Sequence, residues 1–277
     1  MPDLAGLEVA VFESKRAVEM VRLVEHFGGR PHSAPSVREV LLDPGPDAVE
    51  LVRMLRAGAL DAVLFLTRTG VDGLADVMQP ILPRQELVEL LRGVPAGARG
   101  PKTDQALRDL GLEDIVSSTP PHTSRQLVDD FDRRHPLAGT QVAMVEHGFH
   151  HAVARSLLVD RGAEVLPVAV YRWALPHDVE PLNAAIEGLV AGSIRVALFT
   201  NGVQVDSLVG LASEQDLDEP LREVFQSCVV GAIGPVCAER LRAFGIEPDV
   251  VPERASMEEL VRAVAERAQA LLSGGDR

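Results

Sequence analysis

Two short stretches of this 277-residue chain have residue types and spacing suited to holding anions. The first is Gly97-Ala-Arg-Gly-Pro-Lys-Thr-Asp-Gln-Ala-Leu107, running on to Gly111. The second is Gly231-Ala-Ile-Gly-Pro-Val-Cys-Ala-Glu-Arg-Leu241, running on to Gly245. Each follows an apolar run, Val94 to Ala98 or Cys228 to Ala232, that reads as a buried strand. A Gly-Pro turn and a helix come next. Proline suits the first helical position, where its missing N–H would have no partner anyway. The free N–H groups of such a helix start, together with the helix dipole, seat a carboxylate or a phosphate. The backbones of Gly100 and Gly234 and the charge of Lys102 are therefore candidate anion contacts.

Other chemistry is weaker. Gly97-x-x-Gly100 is not a dinucleotide fingerprint, and no Walker-type loop occurs. The run Glu146-His-Gly-Phe-His-His151 holds three histidines. Gly148 favours a turn and outer carboxylates are missing, so no metal is expected. Protonated histidines facing anionic ligands and plain loop histidines both remain open. Cys228 and Cys237 are the only cysteines; they read as small buried hydrophobes and suit a reducing compartment.

The net charge of −14 argues against nucleic acid as the main partner, because a phosphate-tracking surface should be basic. It leaves room for an anionic small molecule, which needs only local positive potential. With 46% hydrophobic and 25% charged residues the chain reads as folded and globular, and its length favours two domains. The start, Met1-Pro-Asp-Leu-Ala-Gly, carries neither a basic segment nor a long apolar one, so no signal peptide is expected. No apolar run reaches membrane-spanning length. The expectation is a cytoplasmic monomer without membrane partners.

The elements that position the two corners alternate between strand and helix. Leu7–Phe12 reads as a strand, and Ala17, Met20, Val21, Val24 and Phe27 fall at helical spacing. Pro31–Val40 reads as extended, Asp47–Arg56 as a helix stopped by Gly58, and Ala62–Leu66 as a strand. A short helix is expected within Pro80–Arg92, a strand at Ile115-Val116, and a helix capped by Thr123. The pattern then restarts: strand Gln141–Val145, helix His150–Arg161, extended Val165–Tyr171, helix Val179–Val190, strand Ile194–Thr200. Ser256 caps the last helix, with Glu259 placed as in a capping box. The halves match at offsets of 133 (Val9 to Val142) and 134 (Gly97 to Gly231). Such alternation predicts parallel sheets covered on both faces, with ligands at the carboxyl ends of the strands. Two such domains facing each other would make a cleft.

This arrangement resembles the uroporphyrinogen-III synthase family over nearly the whole chain. The resemblance rests on Phe65-Leu-Thr-Arg-Thr-Gly-Val71, Gly97-Ala-Arg-Gly-Pro-Lys-Thr103, Arg161-Gly-Ala-Glu-Val165 with Val170-Tyr-Arg172, Leu198-Phe-Thr-Asn201, Ala232-Ile-Gly-Pro235, and the hydroxyls Thr123 and Ser256. It implies an α/β fold of two flavodoxin-like domains with parallel sheets, joined by a two-stranded extended linker. Residues 1–35 with 173–277 would form one domain and 36–172 the other, with Pro31–Val40 and Pro167–Arg172 as crossing strands. The implied reaction needs no cofactor. Hydroxymethylbilane, a linear tetrapyrrole with eight carboxylates, loses its terminal hydroxyl and closes through a spiro intermediate with ring D inverted.

The same resemblance assigns site residues. Tyr171, the only tyrosine, would assist the leaving hydroxyl; otherwise it is an amphipathic residue at a domain seam. Thr67, Arg68 and Thr69 occupy a substrate loop in which Arg68 departs from the family pattern. Thr200, Asn201 and Gly202 form the matching loop, with Asn201 in place of a serine. Thr103 fits the family threonine, whereas Cys237 replaces it in the second corner. The histidine run is the largest departure. These departures motivate an alternative function, a non-catalytic two-lobed tetrapyrrole-binding or regulatory relative.

Overall fold

The computed structural model describes residues 2–147 and 152–274. In chain order the elements are β1 (Glu8–Val11), α1 (Ala17–His26), β2 (Arg30–Ser33), β3 (Arg38–Leu41), α2 (Pro46–Ala57), β4 (Ala62–Phe65), α3 (Arg68–Met78), α4 (Arg84–Arg92), β5 (Ala96–Ala98), α5 (Pro101–Asp109), β6 (Ile115–Ser117) and α6 (Ser124–Arg134). There follow β7 (Gln141–His147), α7 (Ala152–Val159), β8 (Glu164–Ala174), α8 (Glu180–Val190), β9 (Val196–Phe199), α9 (Gly202–Ser213), α10 (Asp218–Phe225), β10 (Val229–Ala232), α11 (Pro235–Ala243) and α12 (Met257–Leu272). No helix among the described residues is long and apolar enough to cross a membrane.

The chain divides into two compact units, Met1–Arg38 with Ala174–Arg277, and Glu39–Trp173. The discontinuous unit holds a sheet in the order β10-β9-β1-β2 with parallel pairings, extended by a bridge from Gly231 to Val250. The continuous unit carries the order β3-β8-β7-β4-β5-β6, parallel from β8 to β6. Renumbered from β1 in one unit and from β7 in the other, both have the 2-1-3-4 order of a flavodoxin-like doubly wound sheet. The expected α/β class with parallel sheets is the fold observed.

Strand periodicity explains the layers. In β1, Val9 and Val11 enter the core under α1 and α12, whereas Ala10, with Phe12 just past the strand, enters the core under α8, α9 and α11. In β4, Ala62 and Leu64 face α6 and α7, while Val63 and Phe65 face α2 to α5. Both faces are buried, so these strands are apolar at every position rather than alternating. Phe12 stacks on Phe199 with ring centroids 4.8 Å apart, which locks β1 beside β9.

Two stretches differ from expectation. The run Pro31–Val40 is two strands: β2 edges the first sheet and β3 edges the second. Between them, Ala34 N–H donates to the Val11 carbonyl at 2.9 Å. Pro35 then has no N–H to extend that ladder. Helix α10 lies where no element is expected from the sequence. Its buried Leu221 and Phe225, four residues apart, carry it onto the core.

Candidate functional site

In a doubly wound sheet the crevice opens where the strand order reverses, outside the carboxyl ends of the strands. The switch point is between β7 and β4 in the continuous unit and between β1 and β9 in the other. The carboxyl-end loops around those points, including the Gly-Pro corners after the neighbouring strands β5 and β10, are where such sheets hold ligands.

In the continuous unit, Thr67 follows β4 and caps α3, its Oγ1 accepting from Gly70 N–H at 2.9 Å. The same Oγ1 lies 3.1 Å from the Tyr171 hydroxyl, joining residues 104 apart in sequence. Tyr171 sits on β8 with its ring edge-on to Trp173, centroids 5.8 Å apart, and is 1% exposed. Burial pushes its hydroxyl up to about 12; the Thr67 hydrogen bond pulls down, the Glu39 charge pushes up and the Arg99 charge pulls down. Such a phenol stays neutral at physiological pH and keeps a proton to donate. Thr69 donates to Glu39 at 3.3 Å, and Arg68 is exposed and paired along the helix with Asp72 at 3.3 Å. Thr67 and Tyr171 are thus brought together, whereas Arg68 turns along its own helix.

The first Gly-Pro corner opens α5. Gly100 is its N-cap at φ +87°, a left-handed conformation that other residues adopt only with strain. Gly97, on β5, lies so close to its neighbours that an added Cβ would stand 2.3 Å from Leu64 Cδ2 and 3.1 Å from Phe131 Cδ2. Lys102 is exposed. Thr103 is buried and donates to the Arg99 carbonyl at 3.3 Å.

The other unit has the same frame with different chemistry. Thr200 donates to Glu13 and accepts from Gln204 Nε2 at 2.7 Å. Asn201 caps α9, accepting from Val203 N–H at 2.8 Å and Gln204 N–H at 3.2 Å, and Gln204 completes a capping box. Gly202 packs against Arg240, 3.0 Å from its Cβ to an added carbon. Gly234 caps α11 with extended backbone at φ −178°. Cys237 is buried, donates to the Phe199 carbonyl at 3.7 Å, and has its thiol pushed up to about 12 by burial. The two corners therefore share a strand–turn–helix order and differ in the conformation of the capping glycine and in side chains. Arg99, Lys102 and Thr103 of one are answered by Ile233, Val236 and Cys237 of the other.

Among the described residues no cluster could hold a metal. Glu146 is buried at the end of β7. The expectations placed on Gly148–His151 fall outside the described residues. Sequence reasoning missed Glu13 and Gln204, which organise the Thr200 loop, and it missed Arg99. The pattern Asn201-x-x-Gln204 is a capping signal that was there to be read. Arg99 was signalled by its mismatch with Ile233 inside the repeat.

Two doubly wound α/β units, each with polar strand-end loops at its switch point, define the class as a two-domain α/β protein with parallel sheets. The family model for uroporphyrinogen-III synthase HemD matches residues 10–262, and the chain belongs to that family. It is 29% identical over 251 residues to the uncharacterised protein YjjA of Bacillus subtilis (strain 168), spanning 90% of this chain and 92% of that one. It is 29% identical over 252 residues to a putative uroporphyrinogen-III synthase of Methanothermobacter thermautotrophicus, spanning 91% and 94%. A solved structure of a mutant uroporphyrinogen III synthase from the extremely thermophilic bacterium Thermus thermophilus superposes with a TM-score of 0.71 at 24% identity, over 96% of this chain and all of that one, a likeness of fold.

Proposed function

We propose that the protein is a uroporphyrinogen-III synthase that closes hydroxymethylbilane with inversion of ring D and loss of water. The observation that carries this reading is the Tyr171 hydroxyl, held neutral by burial and placed 3.1 Å from Thr67 Oγ1 beside the switch point. The terminal C–O bond of the substrate breaks and its hydroxyl leaves as water, helped by a hydrogen bond from Tyr171. The electrophile left behind is attacked by the substituted carbon of ring D. The spiro intermediate opens and recloses at the other position, and the proton lost on closure restores the pyrrole. No step needs a covalent enzyme intermediate; the work is positioning and acid assistance. The Gly-Pro corners hold substrate carboxylates through backbone N–H groups.

A second reading, a tetrapyrrole-binding relative without turnover, is favoured by the discontinuous unit. There Asn201 spends its amide oxygen on the start of α9 and Cys237 spends its thiol proton on the Phe199 carbonyl. A coupled assay with fresh hydroxymethylbilane separates the two readings. Type III product above the uncatalysed background supports the synthase. Isomer I alone at the uncatalysed rate sinks it and leaves the binding relative.

A further inference from the structure

Arg99 leaves the end of β5 and reaches Ser124, the first residue of α6, with Nη1 to Oγ at 3.5 Å. That placement sets a fixed positive charge at the positive end of an eleven-residue helix. The arrangement is unfavourable on its own, because helix N-termini prefer anions. Burial lowers the pKa of this guanidinium below its ordinary value, and among the described residues no carboxylate lies within ion-pairing distance of it. An arginine nonetheless stays charged. Charges withdrawn from water are normally paired, and half-buried Arg99 makes, among the described residues, only one long contact, to a hydroxyl. The N–H groups of Ser124 and Arg125, in the first turn of α6, have no acceptor within the helix.

The internal repeat sharpens the point. The slot of Arg99 is filled by Ile233 in the other unit, where it packs against the core. The frame therefore accepts an aliphatic residue at this position, and the charge is not needed to build the corner. His122 lies next to the same spot. Its Nδ1 donates to the Ser118 carbonyl at 2.7 Å, and its Cβ stands 3.4 Å from where a Cβ on Gly100 would be.

We propose that Arg99, with the Ser124 hydroxyl and the first N–H groups of α6, forms a subsite for one side-chain carboxylate of the tetrapyrrole. The guanidinium fork matches a carboxylate with two parallel hydrogen bonds. The carboxylate would also neutralise the convergence of Arg99 with the helix dipole. Arg99 acts on Tyr171 electrostatically, so the subsite anchors the substrate beside the proposed acid. The inference rests on the tetrapyrrole reading above and assigns a recognition contact within it.

The test is anaerobic calorimetric titration of uroporphyrinogen III, a ligand that does not turn over, into the full-length wild type, Arg99→Ile and Arg99→Lys. Arg99→Ile should fold with an unchanged or higher Tm and bind about tenfold to a hundredfold more weakly. Its affinity should also depend less steeply on salt. Arg99→Lys keeps the charge, loses the fork and should fall between. Wild-type and Arg99→Ile curves that coincide would overturn the subsite and leave the functional reading intact. A wild type that binds no uroporphyrinogen III sinks the functional reading and the subsite with it. If Arg99→Ile does not fold, the Arg99→Lys titration decides: weakened binding supports the subsite, and an unchanged Kd overturns it.

Discussion

Tyr171 and Cys237 show how burial decides what a polar side chain can do. Both are pushed up to about 12, yet one meets a hydroxyl at a strand end and the other a backbone carbonyl inside the core. Tyr171→Phe keeps the ring and its packing and removes only the donor. If that donor acts as the substrate hydroxyl departs, kcat should fall by about a hundredfold while KM changes little. Steady-state kinetics checks this, and a loss confined to KM would make Tyr171 a substrate-positioning group instead. Cys237 has a measurable signature in stability. Its folded pKa of about 12 lies above its ordinary 9.0, so below pH 9 both states keep the proton and its contribution is fully present. As pH rises from 9 towards 12 the unfolded chain gives up that proton and the folded chain does not. Stability should then fall by about 1.4 kcal/mol per pH unit from this group. Denaturant melts of Cys237→Ala should show a flatter decline between pH 9 and 11 than the wild type.

The two Gly-Pro corners have one sequence pattern and two backbone conformations. Gly100 lies at φ +87°, whereas Gly234 is extended at φ −178° with an added Cβ in ordinary contact with Ala255 at 3.6 Å. Gly100→Ala should therefore destabilise the protein by about 1–2 kcal/mol through backbone strain, and Gly234→Ala by less than about 0.5 kcal/mol. Paired thermal melts settle it; equal losses at both sites would mean that φ is not what distinguishes them. The repeated glycine was legible in the sequence, but the need for it was not. That need depends on the direction in which the chain leaves β5 and β10, which is set by the helices packed on each side. The cap residues were more legible. Thr123, Ser256 and Asn201 all accept backbone N–H groups at helix starts, because a short polar side chain before an apolar run is a local signal.

At the scale of the molecule, one unit is a single stretch of chain, Glu39–Trp173, and the other is assembled from both ends. The repeat in the sequence suggests a different cut, between α6 and β7, which would part β1 from its neighbour β9. We expect an excised 39–173 fragment to fold cooperatively, with helical circular dichroism and a single melting transition. A fragment cut at the repeat boundary, 1–138, should lack both, because β1 and β2 would have no sheet to join. A cooperative melt for 1–138 would contradict this division.

The sequence by itself determined the α/β class, the parallel sheets buried on both faces, most strands and helices, and the strand-end location of the polar loops. Each of these follows from short-range periodicity, caps and turns. The tertiary structure decided what short-range signals do not encode. β1 and β7 present nearly the same apolar pattern, Val9-Ala-Val and Val142-Ala-Met-Val, so no local feature says that β1 pairs with β9 and β7 with β4. The meeting of Thr67 with Tyr171 across 104 residues depends on that pairing. The approach of Arg99 to the start of α6 depends instead on the pairing of β5 with β6, which brings the end of one strand beside the helix that follows the other.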